Sequence, residues 1–119
     1  MSENTQELDE QAVYKILPQS EWLKAREERA FRGSSIDLRD GFIHLSTQAQ
    51  VSETLRLHFS GQRELLLIEF SAKDLDSLVW EPSRGGQLFP HVYSELDPAK
   101  ARQEWSLKAD DQGIPQAPW

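Results

Sequence analysis

The chain has 119 residues, no cysteine and a formal net charge of −7. This length supports one domain with a hydrophobic core, and the lack of cysteine excludes disulfides, zinc–thiolate sites and thiol nucleophiles. The negative charge disfavours nucleic acid as a partner, and the longest apolar run, Leu65-Leu66-Leu67-Ile68, is too short to cross a membrane.

The composition divides the chain into an arm, a domain and a tail. Residues 1–11 predict a disordered acidic arm, because they carry four acidic side chains and no Lys or Arg. They also lack the basic and apolar regions of a signal peptide, so we expect a cytoplasmic location. A single globular domain is expected over residues 12–108. The tail, residues 109–119, contains one glycine and two prolines and is expected to be irregular.

The first half of the domain predicts two strands and two helices. Residues 13–17 alternate as in a strand, and Ser20 is expected to cap the helix that follows. The dipeptide Asp40-Gly41 predicts a turn before a short strand at residues 42–45. A second helix is expected to begin with the capping box formed by Thr47 and Gln50. Its apolar face repeats at helical spacing: Val51, Leu55 and Phe59.

The second half predicts a central strand and two further strands. Residues 65–70 are almost continuously apolar, which favours a strand buried on both faces. One helical turn is expected near Leu78, followed by a loop at residues 82–87. A strand at residues 88–96 contains Pro90, which predicts an edge or bent strand, and the last strand is expected at residues 101–107. Strands before, between and after two helices favour the α+β class.

His44 is the first candidate site residue. It lies between Ile43 and Leu45 in the predicted strand, so its side chain faces away from theirs and towards the side of Ser46. The helix beginning at Thr47 presents N–H groups and the positive end of its dipole, which favour an anion such as phosphate. The alternative is a surface histidine beside an ordinary helix cap.

Three further residues are candidates. His91 shares a strand face with Tyr93, so it either packs among aromatic side chains or faces His44 across a pocket. Glu81 could serve in acid–base chemistry or bind a ribose, and otherwise it is a surface charge. Arg84 precedes two glycines and could bind phosphate or carboxylate, unless the segment is an ordinary turn. No histidine spacing is typical of a metal site, and we expect none.

Taken together, these motifs resemble a family of small, mostly bacterial proteins known as domain of unknown function 952. The resemblance spans about residues 13–107. It rests mainly on the segments Val13-Tyr14-Lys15-Ile16, Asp40-Gly41-Phe42-Ile43-His44-Leu45-Ser46-Thr47, Trp80-Glu81 and Phe89-Pro90-His91-Val92-Tyr93. It implies a fold similar to ADP-ribosyltransferases, in which small antiparallel or mixed sheets form a cleft for NAD, flanked here by two main helices.

The resemblance also implies roles for particular residues. The catalytic candidates are His44, His91 and Glu81, and the ligand-binding candidates are Tyr14, Ser46, Thr47, Arg84 and Tyr93. The chain departs from the superfamily because it has no Glu-x-Glu pair and no clear counterpart of the catalytic glutamate.

Three interpretations follow from these motifs. The first is an ADP-ribosyl transferase or hydrolase that uses NAD or ADP-ribose as a small-molecule ligand. The second is a catalytically inactive binding module that has kept the cleft. The third is a protein in which His44 and His91 have only a structural role.

Overall fold

Two long strands form the centre of the molecule because their residues are apolar on both faces. In the computed structural model, which describes residues 11–119, β1 (Ala12–Pro18) pairs antiparallel with β4 (Leu65–Ser71) along its full length. The two-sided burial predicted for the second of these strands is confirmed. The predicted acidic arm, apart from Gln11, lies outside the described residues.

Residues 11–119 form two main antiparallel sheets and one short hairpin. The first sheet has the strand order β3-β1-β4-β7 and the second the order β2-β6-β5, while β8 pairs with β9. The remaining strands are β2 (Ile43–His44), β3 (Ser46–Thr47), β5 (Leu78–Pro82), β6 (Leu88–Val92), β7 (Gln103–Ser106), β8 (Lys108–Ala109) and β9 (Pro115–Gln116). With three α-helices, this arrangement is an α+β fold, as the sequence predicted.

The helices begin and end at local signals that the sequence only partly revealed. They are α1 (Gln19–Glu28), α2 (Ser35–Asp40) and α3 (Gln48–His58). The capping box of Thr47 and Gln50 is confirmed at the start of α3. The prediction that Ser20 caps α1 was wrong, since Pro18 holds that position. The turn expected before Gly41 is the end of α2, which Gly41 closes with φ 86°.

The second sheet corrects two predictions. Leu78 lies in β5 and not in a helical turn; a 3₁₀ turn, Ala72–Asp74, comes earlier. Pro90 lies in β6, the central strand of its sheet, although proline favours an edge. The carbonyl of Pro90 accepts a hydrogen bond from the Leu45 amide, just beyond the end of β2. The missing N–H of Pro90 faces that same side, so neither neighbouring strand loses a ladder bond.

The tail also contains regular structure that was not expected. Ala109 pairs with Pro115 in the β8–β9 hairpin. The carboxylate of Asp110 accepts hydrogen bonds from the amides of Gln112 and Ile114, which closes the turn. Side-chain to backbone bonds of this kind let a glycine- and proline-rich segment adopt one defined conformation.

The first sheet has a hydrophobic core on each face. On one face, Val13 and Leu17 pack with α1 and with the second sheet, around Trp22. On the other, Ile16 packs against Leu55 of α3. No helix within residues 11–119 is long and apolar enough to cross a membrane.

Residues 43–47 connect the two sheets, although the sequence predicted a single short strand there. β2 pairs with β6, where His44 lies opposite His91, whereas β3 pairs with β1, where Ser46 lies opposite Tyr14. The chain therefore leaves one sheet and joins the other within two residues, which creates a fork between the sheets.

Candidate functional site

A cavity of about 150 Å³ lies at this fork. Its walls come from β1, from the segment that connects the sheets, from α3, from β6 and from the turn before β6. The chain has three histidines, and all of them line the cavity: His44, His58 and His91. Arg84 and Lys15 also line the cavity, and among residues 11–119 no Asp or Glu does.

His44 is held by two carboxylates of α2. Its Nδ1 lies 2.7 Å from Oδ1 of the buried Asp37, and its backbone N–H donates to the same oxygen at 3.1 Å. Its Nε2 lies 3.0 Å from Oδ2 of Asp40, which is more exposed. The short helix therefore fixes the orientation of the ring from both of its nitrogen atoms.

Asp37 also anchors a buried lysine of β1. Lys15 Nζ donates to Asp37 Oδ2 at 2.8 Å and to the carbonyl of His44 at 3.1 Å. Burial lowers the pKa of Lys15, and the charge of Asp37 opposes that shift. Burial would raise the pKa of Asp37, but the hydrogen bond from His44, the charge of Lys15 and the Ser34 amide together lower it to about 2. Asp37 is therefore ionised at neutral pH.

His91 is held by a different carboxylate. Its Nδ1 lies 2.7 Å from Oε1 of Glu81, and the Tyr93 hydroxyl donates to the same oxygen at 2.7 Å. The hydrogen bonds from Tyr93 and His91 lower the pKa of Glu81, and Glu81 raises the pKa of Tyr93. When neutral His91 donates from Nδ1, its Nε2 is a hydrogen-bond acceptor, which is the arrangement required of a general base.

The two histidines lie side by side because they are direct partners in the β2–β6 ladder. Their ring centroids are 5.5 Å apart. Phe42 stacks on His91 with a centroid separation of 4.2 Å and also contacts His44, at 4.6 Å. Both rings are therefore close enough to contact one small ligand.

The structure brings most of the predicted site residues to one place. Five of the eight line the cavity: Tyr14, His44, Ser46, Arg84 and His91. Glu81 and Tyr93 are linked to His91 but are not among the lining residues. Thr47 is not among them either, and its side chain caps α3.

Sequence reasoning missed four residues of the site. Asp37 could have been found, because Ser34 and Asp37 have the spacing of a capping box. Lys15 could have been suspected, because a charged residue within an apolar strand needs a partner. Asp40 carried only a turn signal. His58 was interpreted as structural, yet its side chain is exposed and lines the cavity. Among residues 11–119, no cluster of three or more His, Cys, Asp or Glu side chains could hold a metal ion.

The fold and the site define a small α+β protein with a histidine-lined cavity between two antiparallel sheets. The chain belongs to the family described as "Protein of unknown function (DUF952)", whose model matches residues 16–103.

Solved structures of one bacterial protein are similar over most of their length. The crystal structure of CC0527 from Caulobacter crescentus is 44% identical, with a TM-score of 0.86, and the match covers 88% of this chain and 93% of that one. The solution NMR structure of the same protein is 44% identical, with a TM-score of 0.80 and coverages of 88% and 91%. No curated protein matches the chain. The descriptions of the family and of these structures name no activity.

Proposed function

We propose that the cavity binds a small molecule of the NAD or ADP-ribose type, and that the protein transfers or hydrolyses its ADP-ribosyl group. The observation that carries this proposal is the His91–Glu81 pair. Oε1 of Glu81 lies 2.7 Å from Nδ1 of His91, so that when Nδ1 donates to this oxygen, Nε2 can accept a proton from water or from a hydroxyl group.

His44 complements this role from the opposite strand. Its ring lies 5.5 Å from that of His91, and it has two carboxylates as partners, Asp37 and Asp40. His44 can donate to both only as an imidazolium, which would place a positive charge beside the ligand. Such a charge would favour the pyrophosphate of NAD or ADP-ribose, which is an anion.

The motifs and the architecture support the same ligand class. The resemblance inferred from the sequence motifs implies an ADP-ribosyltransferase-like cleft between two small sheets, and the cavity lies between two small sheets. Its volume is below the roughly 300–1,000 Å³ of pockets that enclose drug-sized ligands. Only one part of a dinucleotide would therefore enter the cavity, and the remainder would lie along its mouth.

One observation favours a second candidate, a binding module without catalysis. ADP-ribosyltransferases use a glutamate to stabilise the charged ribose, and no carboxylate of the described part of the chain is among the residues that line this cavity. Glu81 lies behind His91 and would contact the ligand only through it.

A titration combined with a turnover assay separates these candidates. NAD and ADP-ribose are added at millimolar concentration while the imidazole signals of His44 and His91 are followed by NMR. Nicotinamide release from NAD is measured in parallel by chromatography. The transferase or hydrolase predicts shifted signals and product, whereas the binding module predicts shifted signals without product.

Two single substitutions test the role of His91, one at His91 itself and one at His58 as the matched control. His91→Asn is expected to slow turnover by about 100-fold or more, because general acid–base groups contribute at least that much. His58→Asn, at the exposed rim of the same cavity, is expected to change the rate only slightly. Unchanged histidine signals with both ligands would exclude both candidates and leave the histidines a structural role.

A further inference from the structure

We propose that the part of the ligand that enters the cavity is a sugar phosphate: Arg84 binds its phosphate, and the sugar ring lies between Arg84 and the two histidines. The inference rests on the proposed function, since the distal ribose of ADP-ribose carries a 5′-phosphate. It also goes further, because it assigns the phosphate to one residue and limits the enclosed group to one ring.

The charges in the cavity wall favour an anion. The chain has a net charge of −7 and 20 acidic residues, yet none of the acidic residues within 11–119 lines the cavity. In the same part of the chain, the two lining residues with a fixed charge are both positive, Lys15 and Arg84. The charge of Lys15 is matched by Asp37 at 2.8 Å. Among the described residues that line the cavity, Arg84 is therefore the cation that remains for a ligand.

Arg84 forms no ion pair with any carboxylate of the described residues at salt-bridge distance. The charge of Arg84 contributes to lowering the pKa of Glu53 in α3. That pKa is lowered mainly by Arg56, which forms an ion pair with Glu53. An arginine with unused N–H donors in a cavity wall is well suited to bind phosphate in a fork.

The position of Arg84 is fixed by the glycine turn that follows β5. Gly85 and Gly86 have φ of 67° and 79°, a conformation that other residues rarely adopt. The arginine side chain folds back over β6, with its guanidinium carbon 4.9 Å from the centroid of the Phe89 ring. One of its nitrogens lies 3.4 Å from the Thr54 hydroxyl. These contacts hold the guanidinium at the cavity wall.

The spacing along β6 limits the size of the group that bridges Arg84 and His91. The guanidinium lies over Phe89, and His91 follows two residues later on the same strand face, so the side chains of Phe89 and His91 leave the strand about 7 Å apart. A ligand that contacts both the guanidinium over Phe89 and the ring of His91 therefore needs to span only about the length of one pentose with its phosphate, and not that of two linked nucleosides. The volume agrees, because a cavity of roughly 150 Å³ in another protein holds a single benzene ring.

The test compares four probes on the full chain by calorimetry and NMR: ribose, ribose 5-phosphate, ADP-ribose and NAD. Ribose 5-phosphate is expected to bind at least about 10-fold more tightly than ribose, since hydrogen bonds to charged groups are among the stronger ones. Arg84→Gln is expected to abolish this preference without changing ribose binding. Arg56→Gln, the control, removes a positive charge from the exposed face of α3. This variant is expected to retain the preference for ribose 5-phosphate over ribose. The amide spectrum of each variant verifies that it is folded.

Each outcome bears on one hypothesis or on both. Equal binding of ribose and ribose 5-phosphate, or an unchanged preference in Arg84→Gln, would overturn the inference. If ADP-ribose binds and Arg84→Gln has no effect, the proposed function survives and the inference fails. If ribose 5-phosphate binds through Arg84 while ADP-ribose and NAD do not, the inference stands and the proposed function fails. If none of the compounds binds at millimolar concentration, both are wrong.

Discussion

The two carboxylate–histidine pairs of the cavity have opposite patterns of burial. In the first pair, the Asp37 side chain is 1% exposed and that of His44 is 31% exposed. In the second, Glu81 is 34% exposed and His91 is 6% exposed. In the first pair the carboxylate thus lies in the interior and the histidine lies near the surface. In the second pair the histidine lies in the interior and the carboxylate lies near the surface.

This difference separates structural from chemical roles. Asp37 binds three other groups besides the His44 ring: the Lys15 ammonium, the Ser34 amide and the His44 amide. It therefore connects β1, α2 and β2, and its loss should affect the whole fold. Glu81 binds only His91 and Tyr93 among the described residues. The loss of Glu81 should change the hydrogen bonding of the His91 imidazole and have little effect on the rest of the fold.

The largest expected effect follows from breaking the buried ion pair. Asp37→Asn is expected to lower the free energy of unfolding by about 3–5 kcal/mol, because it leaves the Lys15 charge buried without a partner. The measurement is urea unfolding at neutral pH.

Two variants test this explanation. Asp40→Asn, which removes the exposed carboxylate from the same histidine, should leave the unfolding midpoint close to that of the parent. The double substitution Lys15→Met with Asp37→Asn should cost less than Asp37→Asn alone, because no buried charge remains. Equal losses in the single and the double variant would show that the buried charge is not the cause.

A smaller effect is expected when acid protonates Asp37. Its folded pKa of about 2 lies below the ordinary value of 3.8, so its contribution to stability is fully present above about pH 4. That contribution is lost as the pH falls towards 2, and it amounts to about 2 kcal/mol.

The double variant of Lys15 and Asp37 isolates this effect from the other carboxylates. Unfolding is measured between pH 5 and pH 2 for the parent and for the double variant. The stability of the parent should fall more steeply with acid by the amount that Asp37 contributes. Parallel curves would show that Asp37 is not protonated in this range.

The sequence predicted the features that depend on neighbouring residues. The apolar run at residues 65–70 and the Thr47–Gln50 capping box each carry a local signal, and both are confirmed. The same reasoning missed α2, a helix of only six residues. It also predicted an edge or bent strand for Pro90, which lies in the central strand of its sheet, because the tolerance of a proline there depends on where β2 ends.

The site shows the same limit. The alternation of residues along the strands indicated His44 and His91 as candidate site residues. Their direct pairing, however, depends on how β2 and β6 meet. Lys15 and Asp37 are 22 positions apart in the chain, and their contact exists only once β1 and α2 are packed together. The sequence did show that Lys15 interrupts an apolar strand, without indicating its partner.

The smallest expected effect concerns the more exposed pair and is seen in the titration of tyrosine. The chain has two tyrosines. The pKa of Tyr14 is raised to about 12, mainly by burial and also by Glu69, and that of Tyr93 is raised by its hydrogen bond to Glu81. Glu81→Gln should therefore lower the pKa of Tyr93 towards 10 in an ultraviolet titration and leave Tyr14 unchanged.

The sign of this effect follows from the bond. Glu81 accepts a hydrogen bond from the hydroxyl group of Tyr93, so the bond favours the neutral phenol. Its contribution to the stability of the fold is present below pH 10 and is lost at higher pH. Tyr14 serves as the internal reference, since its hydroxyl bonds to Glu69, a different residue. An equal shift of both tyrosines in Glu81→Gln would mean that the substitution disturbs the first sheet as well. Glu81 would then have a structural role similar to that of Asp37, and the contrast between the two pairs would be lost.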